Sequence, residues 1–138
     1  MRYLLDTCVL SEFFKKQPHQ QVVDWVESEN EPSQWISSLT VAELKKGITR
    51  LVPSRRKTEL ERWFGKTMIR FEPRVLSFDT AIAYRWAAMI AALESKGRPM
   101  PVIDSLIAAT ALEHNLTLVT RNESDFADTG VTVLNIWK

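Results

Sequence analysis

Five short apolar stretches, separated by longer segments of helical character, constrain this chain more than any other feature. Residues 2–6, 34–37, 75–78, 116–120 and 131–136 are too brief for core helices and are rich in Leu, Ile, Val and aromatics, so they read as buried strands. A helical stretch follows Thr7. Residues 19–29 read as a helix with Val22, Trp25 and Val26 on one face. Thr40 opens a further helix ending near Leu51, before Pro53. The spacing of Leu60, Trp63, Phe64, Thr67, Met68 and Phe71 predicts a helix over 55–71. Asp79 is placed as the N-cap of an alanine-rich helix over 80–95 that ends near Gly97. Residues 103–114 read as a largely apolar helix. Strands thus alternate with helices or helix pairs, which predicts an α/β chain with a mostly parallel central sheet in a three-layer α/β/α sandwich.

The length of 138 residues suits one domain over 1–138 with one substantial core. No apolar run approaches the ~18 residues of a membrane span. The N-terminus turns acidic too early for a signal peptide, and the single cysteine, Cys8, excludes an internal disulfide and a thiolate zinc cluster. A cytoplasmic protein is expected. The net charge of +1 conceals an uneven distribution. Between Lys45 and Arg74 stand ten Lys/Arg and three acids, so this segment carries +7 and the remainder −6. Such a division suits a polyanion gripped at one place and processed at another. Lys45, Lys46, Arg50, Arg55, Arg56 and Lys57 are the candidate residues for gripping such a polyanion, against the alternative of a solvated helix face.

Four acids sit at the edges of the apolar runs: Asp6, Glu43, Asp104 and Asp125. In a parallel sheet the site lies at the carboxyl ends of the strands. Asp6 ends the first strand, and Asn122 to Asp125 follow the fourth. Glu43 and Asp104 stand near helix N-termini, which begin at the same rim. Converging carboxylates repel one another, and a hard cation such as Mg²⁺ or Mn²⁺ relieves that repulsion. Each acid has a plainer reading. Asp6 can cap the next helix. Thr40-Val41-Ala42-Glu43 matches a capping box, with Glu43 reaching back to the cap. Asp104 can stabilise a helix dipole. Asp125 can shape a turn, and Asn122 competes with it for the fourth site position through a neutral carbonyl oxygen.

Other chemistries find less support. His19 and His114 have no partner at metal spacing. The four glycines form no phosphate loop, and no serine has a Gly-x-Ser-x-Gly context. A phosphatase with an aspartate nucleophile in Asp-x-Asp lacks its second aspartate, because residue 8 is Cys. The five tryptophans read as core.

The motifs Leu4-Leu5-Asp6-Thr7-Cys8-Val9-Leu10-Ser11-Glu12, Ser37-Ser38-Leu39-Thr40-Val41-Ala42-Glu43-Leu44 with Gly47, Asp104-Ser105-Leu106-Ile107-Ala108-Ala109-Thr110-Ala111, and Leu118-Val119-Thr120-Arg121-Asn122 follow one another across almost the whole chain. In this order they resemble PIN-domain proteins, and specifically toxins of the VapC type from type II toxin–antitoxin pairs. The resemblance implies a Mg²⁺- or Mn²⁺-dependent endoribonuclease, a homodimer and a cognate antitoxin. It implies Asp6 and Asp104 as principal metal ligands and Glu43 as the third acid. Thr120 and Asn122 would orient a metal-activated water or the scissile phosphate. The chain departs from the family pattern at Cys8, where asparagine is frequent, and at Asn122, where many members carry an acid. Transfer RNA and ribosomal RNA both fit as substrates. The alternative is a PIN-like binding module for RNA or protein that has lost catalysis.

Overall fold

Leu4 and Leu5 are adjacent and both fully buried, yet they enter different cores. Successive strand side chains point to opposite faces, so a strand buried on both sides must lie inside a covered sheet. Leu118 and Val119 repeat the division. The computed structural model describes all residues, Met1–Lys138. Its strands are β1 (Tyr3–Leu5), β2 (Gln34–Ser37), β3 (Val75–Leu76), β4 (Thr117–Val119) and β5 (Val133–Leu134). All pairings are parallel, in the order β3-β2-β1-β4-β5. The register aligns Leu4 with Trp35 on one side and with Leu118 on the other.

Six helices cover the sheet: α1 (Thr7–Glu12), α2 (Gln20–Ser28), α3 (Ser38–Thr49), α4 (Arg55–Phe71), α5 (Thr80–Ser95) and α6 (Val102–Glu113). One face packs Leu4 and Leu118 against Ile82, Met89 and Leu93 of α5 and Ile107, Ala108, Ala109 and Ala111 of α6. The other packs Leu5, Ile36 and Val119 against Val9 and Leu10 of α1, Val22 and Val26 of α2, Leu44 of α3 and Phe71 of α4. This is the expected three-layer α/β/α sandwich, with a sheet that is wholly parallel.

Local chemistry explains most helix ends. Asp79 accepts from the Ile82 amide at 3.0 Å and caps α5 as expected. Past the C-terminus of α5, Gly97 has φ +66°, and the Arg98 amide donates to the Leu93 carbonyl. That closure needs a left-handed residue, which glycine supplies without a Cβ clash. Along α6, residues 107–111 are all buried, so the helix lies between sheet and α5 and has no polar face to display.

Three elements differ from expectation by two residues or more at a boundary. α3 begins at Ser38, with Ser37 as its cap accepting from the Leu39 amide at 3.0 Å, so Thr40 lies inside the helix. β3 is only two residues, since Ser77 and Phe78 leave the ladder at the sheet edge. β5 likewise pairs over two residues only.

Candidate active site

The strand order reverses direction at β1. From there the chain moves outward through β2 to β3, then crosses back to β4 on the other side. Open α/β sheets place their sites in the crevice at such a switch point, beyond the strand carboxyl ends. Asp6 is the first residue past β1 and Thr120 the first past β4. The backbone ladder carries them together, because the Asp6 amide donates to the Val119 carbonyl at 3.0 Å.

Asp6 is 5% exposed. Its Oδ1 accepts from the Thr7 amide at 2.8 Å, which caps α1, and its Oδ2 accepts from the Thr120 hydroxyl at 2.8 Å. The cap reading and the site reading of Asp6 are therefore compatible. Burial pushes its carboxyl above the ordinary range; the Thr120 and Thr7 hydrogen bonds oppose this, and the charge of Glu43 adds to it. Thr120 is fully buried, and its oxygen also receives the Asn122 amide at 3.2 Å.

Glu43 does not complete a capping box. It stands in the second turn of α3 and reaches across to α1, where its Oε1 accepts from the Thr7 hydroxyl at 2.5 Å. The Thr40 hydroxyl lies 3.2 Å from that of Thr7. Thr7 and Thr40 thus belong to the site, and sequence reasoning missed both in that role. The available signals were the position of Thr7 directly after Asp6 and the i, i+3 spacing of Thr40 and Glu43 on one helix face.

Asp104 occupies the first turn of α6 and is half-buried. Its carboxyl is pushed up to about 6, first by burial and then by the charges of Asp6, Asp125 and Glu43. The four acids singled out in the sequence therefore share one electrostatic neighbourhood. Asp125 lies in a 3₁₀ turn over Glu123–Phe126 and is exposed, and its charge is one of those that reach Asp104. Asn122 precedes this turn, with an exposed side chain, and contributes its carbonyl to the Asp125 amide at 3.1 Å.

Cys8 contributes no thiolate. Its Sγ lies 3.8 Å from Asp6 Oδ2 and 3.6 Å from Thr120 Oγ1. Burial and the Asp6 charge push the thiol up to about 11, so it stays protonated at neutral pH.

No three Asp, Glu, His or Cys side chains form a ready-made metal cage as they stand. The donor chemistry nonetheless suits a hard divalent cation: an all-oxygen set, mutually repelling, with two carboxyls raised by burial and like charge. The group fits Mg²⁺ or Mn²⁺ by charge and donor type, not by preformed geometry.

The six basic candidates divide. Lys46 and Arg50 line one groove with Glu43. Lys45 stacks over Phe64, with its ammonium 5.5 Å from the ring centroid. Arg55 pairs with Glu59 at 3.4 Å on the exposed face of α4, and Arg56 is exposed beside it. Lys57 is engaged within the fold. Its ammonium donates to the Thr49 and Leu51 carbonyls at 3.2 and 3.0 Å, so it closes the C-terminus of α3. His19 and His114 stand at the ends of α2 and α6, as N-cap and C-cap. No helix is long and apolar enough to cross a membrane.

Comparison with known proteins agrees with this fold. A family model described as PIN domain matches residues 3–131. Toxin FitB of Neisseria gonorrhoeae is 36% identical over 135 residues, covering 97% of each chain. The VapC ribonuclease Y4jK of Sinorhizobium fredii is 32% identical over 136 residues, covering 98% of this chain and 97% of its own. The crystal structure of FitAcB from Neisseria gonorrhoeae aligns with a TM-score of 0.93 at 34% identity, over 98% of both chains.

Proposed function

The chain belongs to the PIN-domain family, and from that premise we propose that it is a metal-dependent endoribonuclease serving as the toxin of a toxin–antitoxin pair. The observation that carries the reading is the shared field of Asp6, Glu43, Asp104 and Asp125 at the switch point of the sheet. Relatives similar over nearly the full length are named a toxin and a ribonuclease, which supports the same conclusion.

Asp6, Asp104 and Glu43 would hold Mg²⁺ or Mn²⁺. Such an ion supplies a Lewis acid for a phosphodiester oxygen and makes a nearby water more acidic. The chain's own residues do the positioning. The Thr7 amide and Thr120 hydroxyl fix both oxygens of Asp6. The Thr7 hydroxyl holds Oε1 of Glu43 and leaves Oε2 free for a ligand. Asp104, half-exposed and with no hydrogen bond to its carboxylate, is the acid best able to shift toward an incoming cation. Asp125 adds negative charge at the outer edge, in place of the acid that many family members carry at position 122. Asn122, exposed just past the carboxyl end of β4, can orient the scissile phosphate, whereas Thr120 is buried and acts through its hydrogen bond to Asp6.

A toxin requires restraint. A cognate antitoxin whose C-terminal segment brought an Arg or Lys to the acid cluster would satisfy these carboxylates in place of the metal. A homodimer is the assembly expected of the family. The test is induced expression of the chain alone in a bacterial host. Growth arrest with loss of a discrete RNA, both abolished by Asp6→Ala, is the expected result. Normal growth with intact RNA under strong expression overturns the toxin reading.

A further inference from the structure

α3 sets Glu43, Lys46, Gly47 and Arg50 along one face, at i, i+3, i+4 and i+7. These four, with Ala42 and Ile103, line a groove of about 270 Å³. Ile103 precedes Asp104 in the first turn of α6 and is 36% exposed, beside Val102 at 65%. The groove therefore begins at Glu43, one of the site acids, and runs outward along α3, with basic residues on the helix and Ile103 opposite.

Gly47 is the informative residue. Glycine inside a helix is unfavourable relative to alanine. A Cβ built at Gly47 would meet nothing within 4 Å, and its φ lies outside the left-handed region. Neither packing nor backbone conformation requires glycine there. What the missing Cβ provides is a bare stretch of helix surface in the groove, between two cations. Those cations are also uncommitted. Lys46 and Arg50 make no ion pair and no side-chain hydrogen bond, whereas Lys45, Arg55 and Lys57 are engaged by Phe64, Glu59 and the end of α3. One helical turn separates Lys46 from Arg50, a spacing on the scale of neighbouring phosphates along a strand.

We propose that Lys46, Gly47 and Arg50 form a cradle for one sugar–phosphate unit of single-stranded RNA, adjacent to the scissile position. The cradle rests on the ribonuclease reading for its substrate class. Lys46 and Arg50 take successive phosphates, the sugar lies against Gly47, and Ile103 and Val102 face the base. The groove's volume of about 270 Å³, just under the usual range of ligand sites, is on the scale of one nucleotide unit. Two free cations favour a polyanion over a basic protein arm.

The probe is a fluorescein-labelled RNA octamer of mixed sequence, in EDTA to prevent cleavage, followed by anisotropy across a salt series. Gly47→Ala should raise the melting temperature by roughly 2–4 °C, because the helix gains propensity. It should nonetheless weaken octamer binding at least ~5-fold, since a methyl now occupies the floor. This pairing of a more stable fold with poorer binding separates a cradle from general damage. Lys46→Met and Arg50→Met should each reduce the slope of log affinity against log salt by about 0.7, while Lys16→Met, an exposed cation outside the basic segment, leaves it nearly unchanged. Unaltered binding by Gly47→Ala together with unaltered slopes overturns the cradle. So does a wild-type protein that fails to bind the octamer, or one from which a polyglutamate peptide displaces it by binding more tightly. If wild type binds through these residues yet cleaves no RNA in Mn²⁺, the cradle stands and the ribonuclease reading falls.

Discussion

Asp104→Asn removes a negative charge that the metal-free fold holds against three others. The carboxyl is displaced from its ordinary 3.8 to about 6 by burial and by Asp6, Asp125 and Glu43. At ~1.4 kcal/mol per pKa unit, that displacement sets a ceiling of about 3 kcal/mol on the penalty of ionising Asp104 in the folded state. The residue is half-exposed, so solvent screening reduces the expected value to about 1 kcal/mol. The sign follows from linkage. Below pH 3.8 the carboxyl is protonated in both folded and unfolded chains, and no penalty exists. Between 3.8 and about 6 the folded chain keeps a proton that the unfolded chain has lost, so stability falls as pH rises. Above that window the full penalty applies. In EDTA at pH 7.5, Asp104→Asn should therefore be more stable than wild type by about 1 kcal/mol, or roughly 3–5 °C in melting temperature. The gap should close as the pH approaches 4. Urea denaturation at several pH values reads this directly. A variant equal to or less stable than wild type at pH 7.5, or a gap independent of pH, would refute the electrostatic account. Saturating Mn²⁺ should invert the order, because a ligand at one hundred times its Kd adds about 2.7 kcal/mol to the form that binds it.

Three further outcomes are expected. Thr7→Val removes the hydrogen bond that holds Glu43, so Mn²⁺ affinity measured by calorimetry should fall by roughly 10–100-fold while the melting temperature moves little; unchanged affinity would remove Thr7 from the site. Lys57→Met loses two bonds to the end of α3, so the chain should lose about 1 kcal/mol in urea denaturation with no change in octamer binding. Cys8, with its thiol at about 11, should react with iodoacetamide at pH 7.5 far more slowly than a free thiol of ordinary pKa near 8.5, and Cys8→Ser should retain metal-dependent cleavage; rapid labelling would contradict the protonated thiol.

The layers of the fold were readable because burial on both sides leaves a plain mark. Leu4-Leu5 and Leu118-Val119 are unbroken apolar pairs, and only a covered parallel sheet uses both members. Asp6 and Asp104 were readable because each interrupts such a run. What the sequence concealed was long-range partnership. Thr40 and Ser37 are both good caps, and local pattern favoured Thr40 because a glutamate stands three residues on. That glutamate instead bonds Thr7, 36 positions away, a contact fixed only once α1 and α3 pack together. The basic segment held a concealed partnership too. Lys57 counts toward the charge of +7, yet its ammonium belongs to the terminus of the preceding helix. Asp125 and Asn122 could not be separated by type and spacing, whereas the turn over Glu123–Phe126 brings the Asp125 charge within reach of Asp104.

Cleavage of RNA by these acids, acting together through a divalent cation, is the step on which the toxin reading stands. It is tested most directly by incubating the purified chain with total RNA in Mn²⁺, Mg²⁺ or EDTA, beside Asp6→Ala, and mapping the ends of any fragments. Discrete fragments that need the metal and vanish in the variant are the predicted result. Fragments that persist in EDTA or in Asp6→Ala would contradict the claim, as would intact RNA under every condition from a protein that melts at the same temperature with and without Mn²⁺.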